Sequence, residues 1–322
     1  MEERASVFAG QVRNPETKHS KKRFKRILAG WQLYVLIALP LIYLLVFAYY
    51  PMYGVQIAFK DFNMAAGIYG SDWNGLDNFI RFFTNYNFKS IMINTIFLSL
   101  YNLLAGFPFP IILAISLNYA RNKFFKKTVQ MVTYAPYFIS TVVIVGMLLQ
   151  LLSPRTGLIS QFLGLFGVES PNLMGDPQLF SSIYVWSNVW QMTGFNSIMY
   201  IAALASIDPE LHEAALVDGA SIWKRIWHVD LPGIAPTAIT LLILNIGSTL
   251  SLGFEKILLM QNSLNIRNSE VLTTYIYKVS LTAVIPDYSY GTAVGLFQSV
   301  VNMILLILAN SICKRVNETS LW

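Results

Sequence analysis

Polar side chains inside two otherwise apolar stretches are the residues whose types and spacing best suit ligand binding. The stretch YVWSNVWQMTGFNSIMY places four residues on one predicted helical face, at i, i+3, i+4 and i+7: Asn188, Gln191, Met192 and Phe195. A later stretch repeats this spacing with Asn245, Ser248, Thr249 and Leu252. Amide and hydroxyl groups beside aromatic faces can bind a polyhydroxylated ligand. The alternative is that Asn188 and Asn245 only bond neighbouring helices.

The sequence contains no comparable set of residues for catalysis. The single cysteine, Cys313, excludes an internal disulfide, and no C-x-x-C pattern or His/Cys cluster offers a metal site. The histidines, His19, His212 and His228, stand without a readable nucleophile, base and orienting group. We therefore expect no catalytic residue, no metal site and no cofactor in this chain.

The composition is typical of a membrane protein. Of 322 residues, 55% are hydrophobic and 12% are charged, and the mean hydropathy is +0.50, whereas a soluble domain normally has about 25% charged residues. Stretches without charge that can cross a bilayer core of about 30 Å occur at residues 27–59, 90–120, 128–154, 177–207, 231–254 and 288–313. The sequence therefore predicts an all-α polytopic membrane protein with six transmembrane helices.

Lysine and arginine residues set the expected orientation. With a cytoplasmic N-terminus, the inner segments hold 16 of these residues and the outer segments 7, so both termini are expected inside. We divide the chain into a basic cytoplasmic tail (1–29), one six-helix membrane domain (30–312) and a second cytoplasmic tail (313–322). The basic tail is interpreted as a topology anchor at the membrane lipid. This pattern accounts for the net charge of +6, so nucleic acid is not an expected partner.

The expected outer segments and the spans add two further predictions. Residues 51–89 mix aromatics with Gly and Asp and predict a short amphipathic segment, while LISQFLGLFG predicts a short helix within residues 153–178. The predicted spans hold no Asp, Glu, Lys, Arg or His, and the chain lacks the phosphate-binding pattern G-x-x-x-x-G-K-[ST]. A transporter built in this way must take its energy from another subunit.

The predicted cytoplasmic loop at residues 207–232 has strong helix signals. Asp208 can cap a helix that begins at Pro209 and should end near Gly219, where a residue without Cβ can take a positive φ. Ser221 can cap a second short helix with an apolar stripe that includes Trp223 and Trp227. We expect a small knuckle of two helices between the fourth and fifth spans.

This loop also carries a motif of a known family. The order E-A-A, three residues, G, nine residues, an aliphatic residue, one residue and L-P is formed by Glu213, Ala214, Ala215, Gly219, Val229, Leu231 and Pro232. It resembles the motif of permease subunits of binding-protein-dependent ABC importers, with Val229 in place of the usual isoleucine. The stretches PMYGVQIAFKDFN, NTIFLSLYNLLAGFPFPIILAISLN and YAPYFISTVVIVG are similar to the carbohydrate branch, and within it to the LplB-like permeases that include those of alginate and aldouronate importers.

The resemblance implies a type I importer with a MetI-like fold in the bacterial cytoplasmic membrane. A second, related permease would form a heterodimer with this chain, an ATPase dimer would bind ATP and Mg, and an extracytoplasmic binding protein would deliver an oligosaccharide. The coupling residues would be Leu211, Glu213, Ala214, Ala215, Asp218 and Gly219. The spans that flank the coupling loop would line the sugar cavity, which is why Asn188, Gln191, Met192, Phe195, Asn245, Ser248 and Thr249 are the candidate pathway residues.

A second class of function stays open at this point. The chain can also be a channel or facilitator for small polar solutes that works without ATP. Copurification with an ATPase would distinguish the importer subunit from the channel.

Overall fold

The computed structural model describes residues 30–167 and 171–317, with side chains through Arg315. The predicted tail at 1–29 and the last residues of the predicted tail at 313–322 lie outside the described residues. The α-helices are α1 Trp31–Leu44, α2 Tyr50–Met52, α3 Gly67–Gly70, α4 Asp77–Phe83, α5 Phe88–Gly106, α6 Pro108–Tyr119, α7 Lys123–Tyr134, α8 Thr141–Leu151, α9 Leu158–Gly164, α10 Phe180–Ala205, α11 Pro209–Val217, α12 Ile222–Arg225, α13 Leu231–Gly247, α14 Phe254–Met260, α15 Ile266–Ser269, α16 Leu272–Tyr277 and α17 Tyr288–Asn317.

Tighter, wider and extended segments connect these helices. The 3-10 helices are Tyr53–Phe59 and Ala135–Phe138, and the π-helical turns are Leu45–Tyr49, Ile226–Asp230 and Lys278–Thr282. Two short strands, β1 Lys60–Asp61 and β2 Asp72–Trp73, pair antiparallel. The Asn78 amide in α4 donates to the carbonyls of Ala58 and Lys60, at 3.0 and 3.2 Å, and so fixes the turn before β1.

The chain divides into two units, one ending at Gln56 and one beginning at Ile57. In the first unit, α1 continues through a π-helical turn into α2, and none of their residues is buried. The helix that contains them, Trp31–Phe59, has a mean hydropathy of 2.2. A helix that is apolar on every side suits a lipid environment.

Six helical segments correspond to the predicted spans. Among the described residues, four helices are long and apolar enough to cross a membrane, and a bent pair gives a fifth. The remaining one, α10, has 26 residues and is about 39 Å long, but its polar residues lower its hydropathy. In chain order, spans 1 to 6 are Trp31–Phe59, Phe88–Tyr119, Lys123–Phe138 with Thr141–Leu151, Phe180–Ala205, Ile222–Gly247 and Tyr288–Arg315.

Span 3 is broken rather than continuous. Its two halves meet at an angle of 99°. The break follows a 3-10 turn that contains Pro136, and the extended Ser140 then caps α8 by accepting a hydrogen bond from the Val143 N–H. Because proline and an extended residue both interrupt the helical hydrogen-bond ladder, the direction of the chain changes here.

Span 5 begins earlier than the sequence predicts. The expected second helix of the knuckle is α12, and Ser221 caps it as predicted. However, α12 runs through the π-helical turn Ile226–Asp230 directly into α13. The predicted second helix is therefore the first part of span 5 rather than an element that lies before the span, because the backbone hydrogen-bond ladder continues past Trp227.

Span 4 is the central packing element of the second unit. It lies against α5 and α6 of span 2, α7 of span 3 and α13 of span 5. Gly194 permits a close approach of α7, since a Cβ there would overlap the backbone of Thr133. One buried cluster surrounds Val185 and Val189, and another joins Tyr200 and Leu204 to Ala114 and Ile234. The faces of span 4 are thereby fixed.

Candidate functional site

A cavity of about 310 Å³ lies between spans 2, 4 and 5. Its polar lining consists of amides and hydroxyls: Ser99, Asn102, Asn188, Thr193, Asn196, Asn245, Ser248, Thr249 and Ser251. Apolar side chains such as Leu103, Met192 and Leu241 complete it. A cavity with this lining offers hydrogen-bond donors and acceptors without a fixed charge.

Five of the seven candidate pathway residues come together in this cavity. Span 4 contributes Asn188 and Met192, and span 5 and the residues after it contribute Asn245, Ser248 and Thr249. The Asn245 amide makes no hydrogen bond to another described residue, so its donors and acceptor are available to a ligand. The helical spacing in the sequence thus predicts most of the polar lining.

Gln191 and Phe195 lie elsewhere. Gln191 is buried, and its Oε1 accepts a hydrogen bond of 3.4 Å from the Lys256 ammonium. Phe195 stacks on Tyr137 of span 3, with ring centroids 3.6 Å apart. The cavity is lined by the row of Asn188, Met192 and Asn196, spaced by four, and residues one position before that row point toward other elements.

Span 2 provides lining residues that the sequence analysis missed. The Asn188 amide donates a hydrogen bond of 2.9 Å to the Asn102 Oδ1, and the Ser99 hydroxyl donates one of 2.6 Å to the Thr249 carbonyl. Asn188 therefore both lines the cavity and bonds a neighbouring helix. The sequence did contain a signal for this part of the lining, namely two polar residues, Ser99 and Asn102, three positions apart in an apolar helix.

The helix of span 5 unwinds at the cavity. It ends at Gly247, and the following backbone is stabilised from span 6. The Leu250 N–H donates to the Asn302 Oδ1 at 3.1 Å, and the Leu250 carbonyl accepts from the Gln298 amide at 2.9 Å. Irregular backbone at membrane depth is tolerated where protein or a cavity satisfies its polar groups. Such broken helices commonly mark binding sites in transporters.

The loop between spans 4 and 5 has the local geometry that the sequence predicts. The Asp208 side chain accepts a hydrogen bond of 3.0 Å from the Glu210 N–H and caps α11. The helix ends at Val217, and Gly219 takes a φ of +72°. This backbone region disfavours residues with a Cβ.

The candidate coupling residues lie at the surface of this loop. Leu211, Glu213, Ala214, Asp218 and Gly219 are exposed, and Ala215 is half-buried. Val217, Trp223 and Trp227 extend the apolar surface, with exposed fractions of 88%, 73% and 66%. An exposed apolar surface of this kind is typical of a protein-protein contact.

One carboxylate behind this loop was not predicted as a site. Asp230 is fully buried, although the sequence analysis places it in a loop. Its Oδ2 accepts a hydrogen bond of 2.7 Å from the Tyr119 hydroxyl at the end of span 2, and its Oδ1 lies 3.4 Å from the His212 Nε2 in α11. The signal in the sequence was an acidic residue between Val229 and Leu231.

Within residues 30–167 and 171–317, no three His, Cys, Asp or Glu side chains are grouped to hold a metal ion.

Comparison with known proteins identifies the family. Residues 106–318 match the binding-protein-dependent transport system inner membrane component family. The chain belongs to this family. It is therefore a membrane component of a transport system and not an enzyme by itself. This membership also removes the reason to consider a channel that works alone.

Relatives with the same length support the assignment. The polygalacturonan/rhamnogalacturonan transport system permease protein YteP of Bacillus subtilis is 40% identical over 95% of both chains. Protein LplB of the same organism is 41% identical over 90% of this chain and 91% of its own. The resemblance to LplB-like permeases is thereby confirmed.

Solved structures confirm the fold. In two crystal structures of a bacterial ABC transporter that imports the acidic polysaccharide alginate, one chain is 37% identical to this permease and matches 92% of it and 99% of its own length. The TM-scores are 0.84 and 0.85. One of these structures includes a periplasmic protein with bound alginate pentasaccharide. The all-α permease fold that the sequence predicts is the observed fold.

Proposed function

We propose that this permease is one of two membrane subunits of an ATP-driven importer of acidic oligosaccharides released from polysaccharides. The relatives support an acidic sugar, since YteP is named for polygalacturonan and rhamnogalacturonan and the solved transporter imports alginate. Alginate-derived oligosaccharides are the substrates that we test first. The importer would reside in the bacterial cytoplasmic membrane, with both termini of this subunit inside.

The observation that carries the proposal is the cavity at the unwound end of span 5. Sugar hydroxyls are donors and acceptors at once, and the lining offers both kinds of group. Asn102, Asn188 and Asn245 present amides from three different spans. An amide can donate to a sugar carboxylate as well as to a hydroxyl, so acidic units need no lysine or arginine here.

The exposed face of α11 and the family membership support the partners that we propose. The exposed face of α11 would enter a groove of an ATPase dimer, whose subunits bind ATP and Mg. A second, related permease would complete the pore as a heterodimer, and an extracytoplasmic binding protein would deliver the sugar. This chain would hold no cofactor of its own.

Movement of the ATPases would drive alternating access. Closure on ATP would bring the two coupling loops together and open the cavity to the outside, and hydrolysis would return it to the inside. Since span 5 begins within the coupling loop and ends at the cavity, displacement of its first turns would be transmitted along one helix.

Reconstitution of the complete complex tests the proposal. Proteoliposomes with the binding protein outside and ATP inside should accumulate alginate oligosaccharides or oligogalacturonates, and should hydrolyse ATP faster in their presence. A neutral oligosaccharide of equal length is the matched control. Sugar entry at the same rate without the ATPase would contradict the proposal and indicate a facilitator.

A further inference from the structure

A chain of four polar side chains joins α11 to the membrane helices. The carboxylate of Asp230 stands at its centre, 2.7 Å from the Tyr119 hydroxyl and 3.4 Å from the His212 Nε2. The Arg225 guanidinium lies over the Tyr119 ring, 5.4 Å from its centroid. These residues come from span 2, from α11 and from the first turns of span 5.

The burial of Asp230 is unusual for its type. The residue is completely buried, and a buried carboxylate costs free energy unless charges or hydrogen bonds compensate for it. Tyr119 supplies one hydrogen bond, and no other described group donates a regular hydrogen bond to the Oδ1 that faces His212. If the side chain at position 230 only filled space, an apolar residue between Val229 and Leu231 would serve equally well.

The other contacts between α11 and span 5 are apolar and closely packed. Ile207, just before the Asp208 cap, packs together with Leu231 against the buried cluster that contains Ile234. A Cβ on Gly233 would overlap the end of the Ile207 side chain. His212 lies on the inner side of α11 with 24% of its side chain exposed, whereas Leu211 and Glu213 face outward. The α11 helix thus has an apolar contact at its start and a polar one, to Asp230, along its length.

We propose that Asp230 is a positioning residue that ties α11 to spans 2 and 5 and so transmits movement between the ATPase-facing helix and the cavity. Its two carboxylate oxygens face different elements, so α11 cannot move relative to span 2 without changing at least one contact. This inference rests on the proposed function, because it takes α11 to be the ATPase contact. Asp230 touches neither the ATPase nor the sugar, so it acts through the helices that it joins.

The decisive measurement is the ratio of sugar transported to ATP hydrolysed in the reconstituted complex. The test variants are Asp230→Asn, Tyr119→Phe and His212→Gln, each of which removes one part of the contact with little change in volume. The matched controls, Asp72→Asn and Tyr86→Phe, carry two of these substitutions at exposed positions.

We expect Asp230→Asn to lower the ratio about fivefold or more, which is the lower range of coupling between distinct sites. Tyr119→Phe and His212→Gln should lower it in the same direction, and the controls should keep the wild-type ratio. A purely structural role would reduce the amount of assembled complex and leave the ratio of the remaining complex unchanged.

Two results separate the inference from the proposed function. If the wild-type complex shows no hydrolysis stimulated by the sugar-loaded binding protein, the proposed function fails. If the wild type is stimulated and Asp230→Asn keeps the wild-type ratio, only the inference is overturned. If Asp230→Asn does not assemble, the other two variants decide, and a wild-type ratio in both of them overturns it.

Discussion

Asn245 and Asn188 occupy the same cavity but differ in what their amides do. The Asn188 amide already donates to Asn102, whereas the Asn245 amide makes no hydrogen bond to another described residue. A ligand hydrogen bond to a neutral amide contributes about 1 kcal/mol. We therefore expect Asn245→Leu to lower kcat/KM for sugar uptake about fivefold.

The control for this substitution is Asn87→Leu, at an exposed position outside the cavity lining. Initial uptake rates in proteoliposomes, measured over a range of sugar concentrations, give the comparison. Equal kcat/KM values for Asn245→Leu and the wild type would remove Asn245 from the pathway.

Lys256 supplies a prediction with a defined pH dependence. Burial lowers the pKa of its ammonium from 10.5 to about 8, because the charged form is desolvated. Below pH 8 the folded protein carries this charge, and its desolvation lowers the free energy of unfolding. Between pH 8 and 10.5 the folded state releases the proton while the unfolded state keeps it, so the contribution of Lys256 to stability rises with pH.

Lys256→Met should therefore raise the thermal denaturation midpoint of the detergent-solubilised protein at pH 7. The shift of about 2.5 pKa units corresponds to roughly 3 kcal/mol, and the gain should shrink toward pH 10. Lys89→Met is the exposed control. A gain that is constant from pH 7 to pH 10 would show that the desolvated charge is not its cause.

At the scale of residues, helical periodicity predicts the cavity only in part. It places Asn188, Met192 and Asn245 together at the cavity, because their spacing follows the axis of each helix. It cannot place Gln191 and Phe195, since their partners, Lys256 and Tyr137, come from distant parts of the chain. The burial of Asp230 could not be predicted for a related reason, because the sequence does not show that the loop containing it is the start of a span.

Among the elements, the end of α11 offers a position, Gly219, where the effect of backbone conformation can be tested separately from steric overlap. Gly219 has a φ of +72°, and apart from its own residue and its chain neighbours no atom lies within 4 Å of where its Cβ would stand. Any penalty for a side chain there is conformational, at about 1–2 kcal/mol for most L-residues. Asparagine tolerates this region better than a β-branched residue.

We expect Gly219→Val to reduce sugar-stimulated ATP hydrolysis severalfold, and Gly219→Asn to retain most of it. Binding of the sugar-loaded binding protein to the complex should be the same in both variants. If valine and asparagine reduce hydrolysis equally, the backbone argument is wrong, and the position is sensitive to the presence of any side chain.

The same scale shows which elements a sequence can specify. Caps and stops are local, so Asp208, Ser221 and Gly219 could be assigned from their neighbours. The break in span 3 and the continuity of α12 with α13 depend on packing against span 4 and on the hydrogen-bond ladder across Ile226–Asp230. The charge-free window at residues 128–154 contains Pro136, which can interrupt a helix, but no local signal that sets the 99° angle.

For the whole molecule, the orientation in the membrane is the main untested prediction. The excess of lysine and arginine places the termini and the α11 loop inside, and the segments before span 2 and after span 5 outside. Three highly exposed side chains report on these segments: Tyr86 at 97%, Val284 at 102% and Val217 at 88% exposure.

Cysteine labelling in a Cys313→Ser background tests this orientation, because the substitution removes the single native thiol. In intact cells, an impermeant thiol reagent should label Tyr86→Cys and Val284→Cys but not Val217→Cys, whereas all three should be labelled after permeabilisation. Labelling only of Val217→Cys in intact cells would invert the topology. The α11 face could then not reach a cytoplasmic ATPase, so the same result would also reject the proposed coupling mechanism.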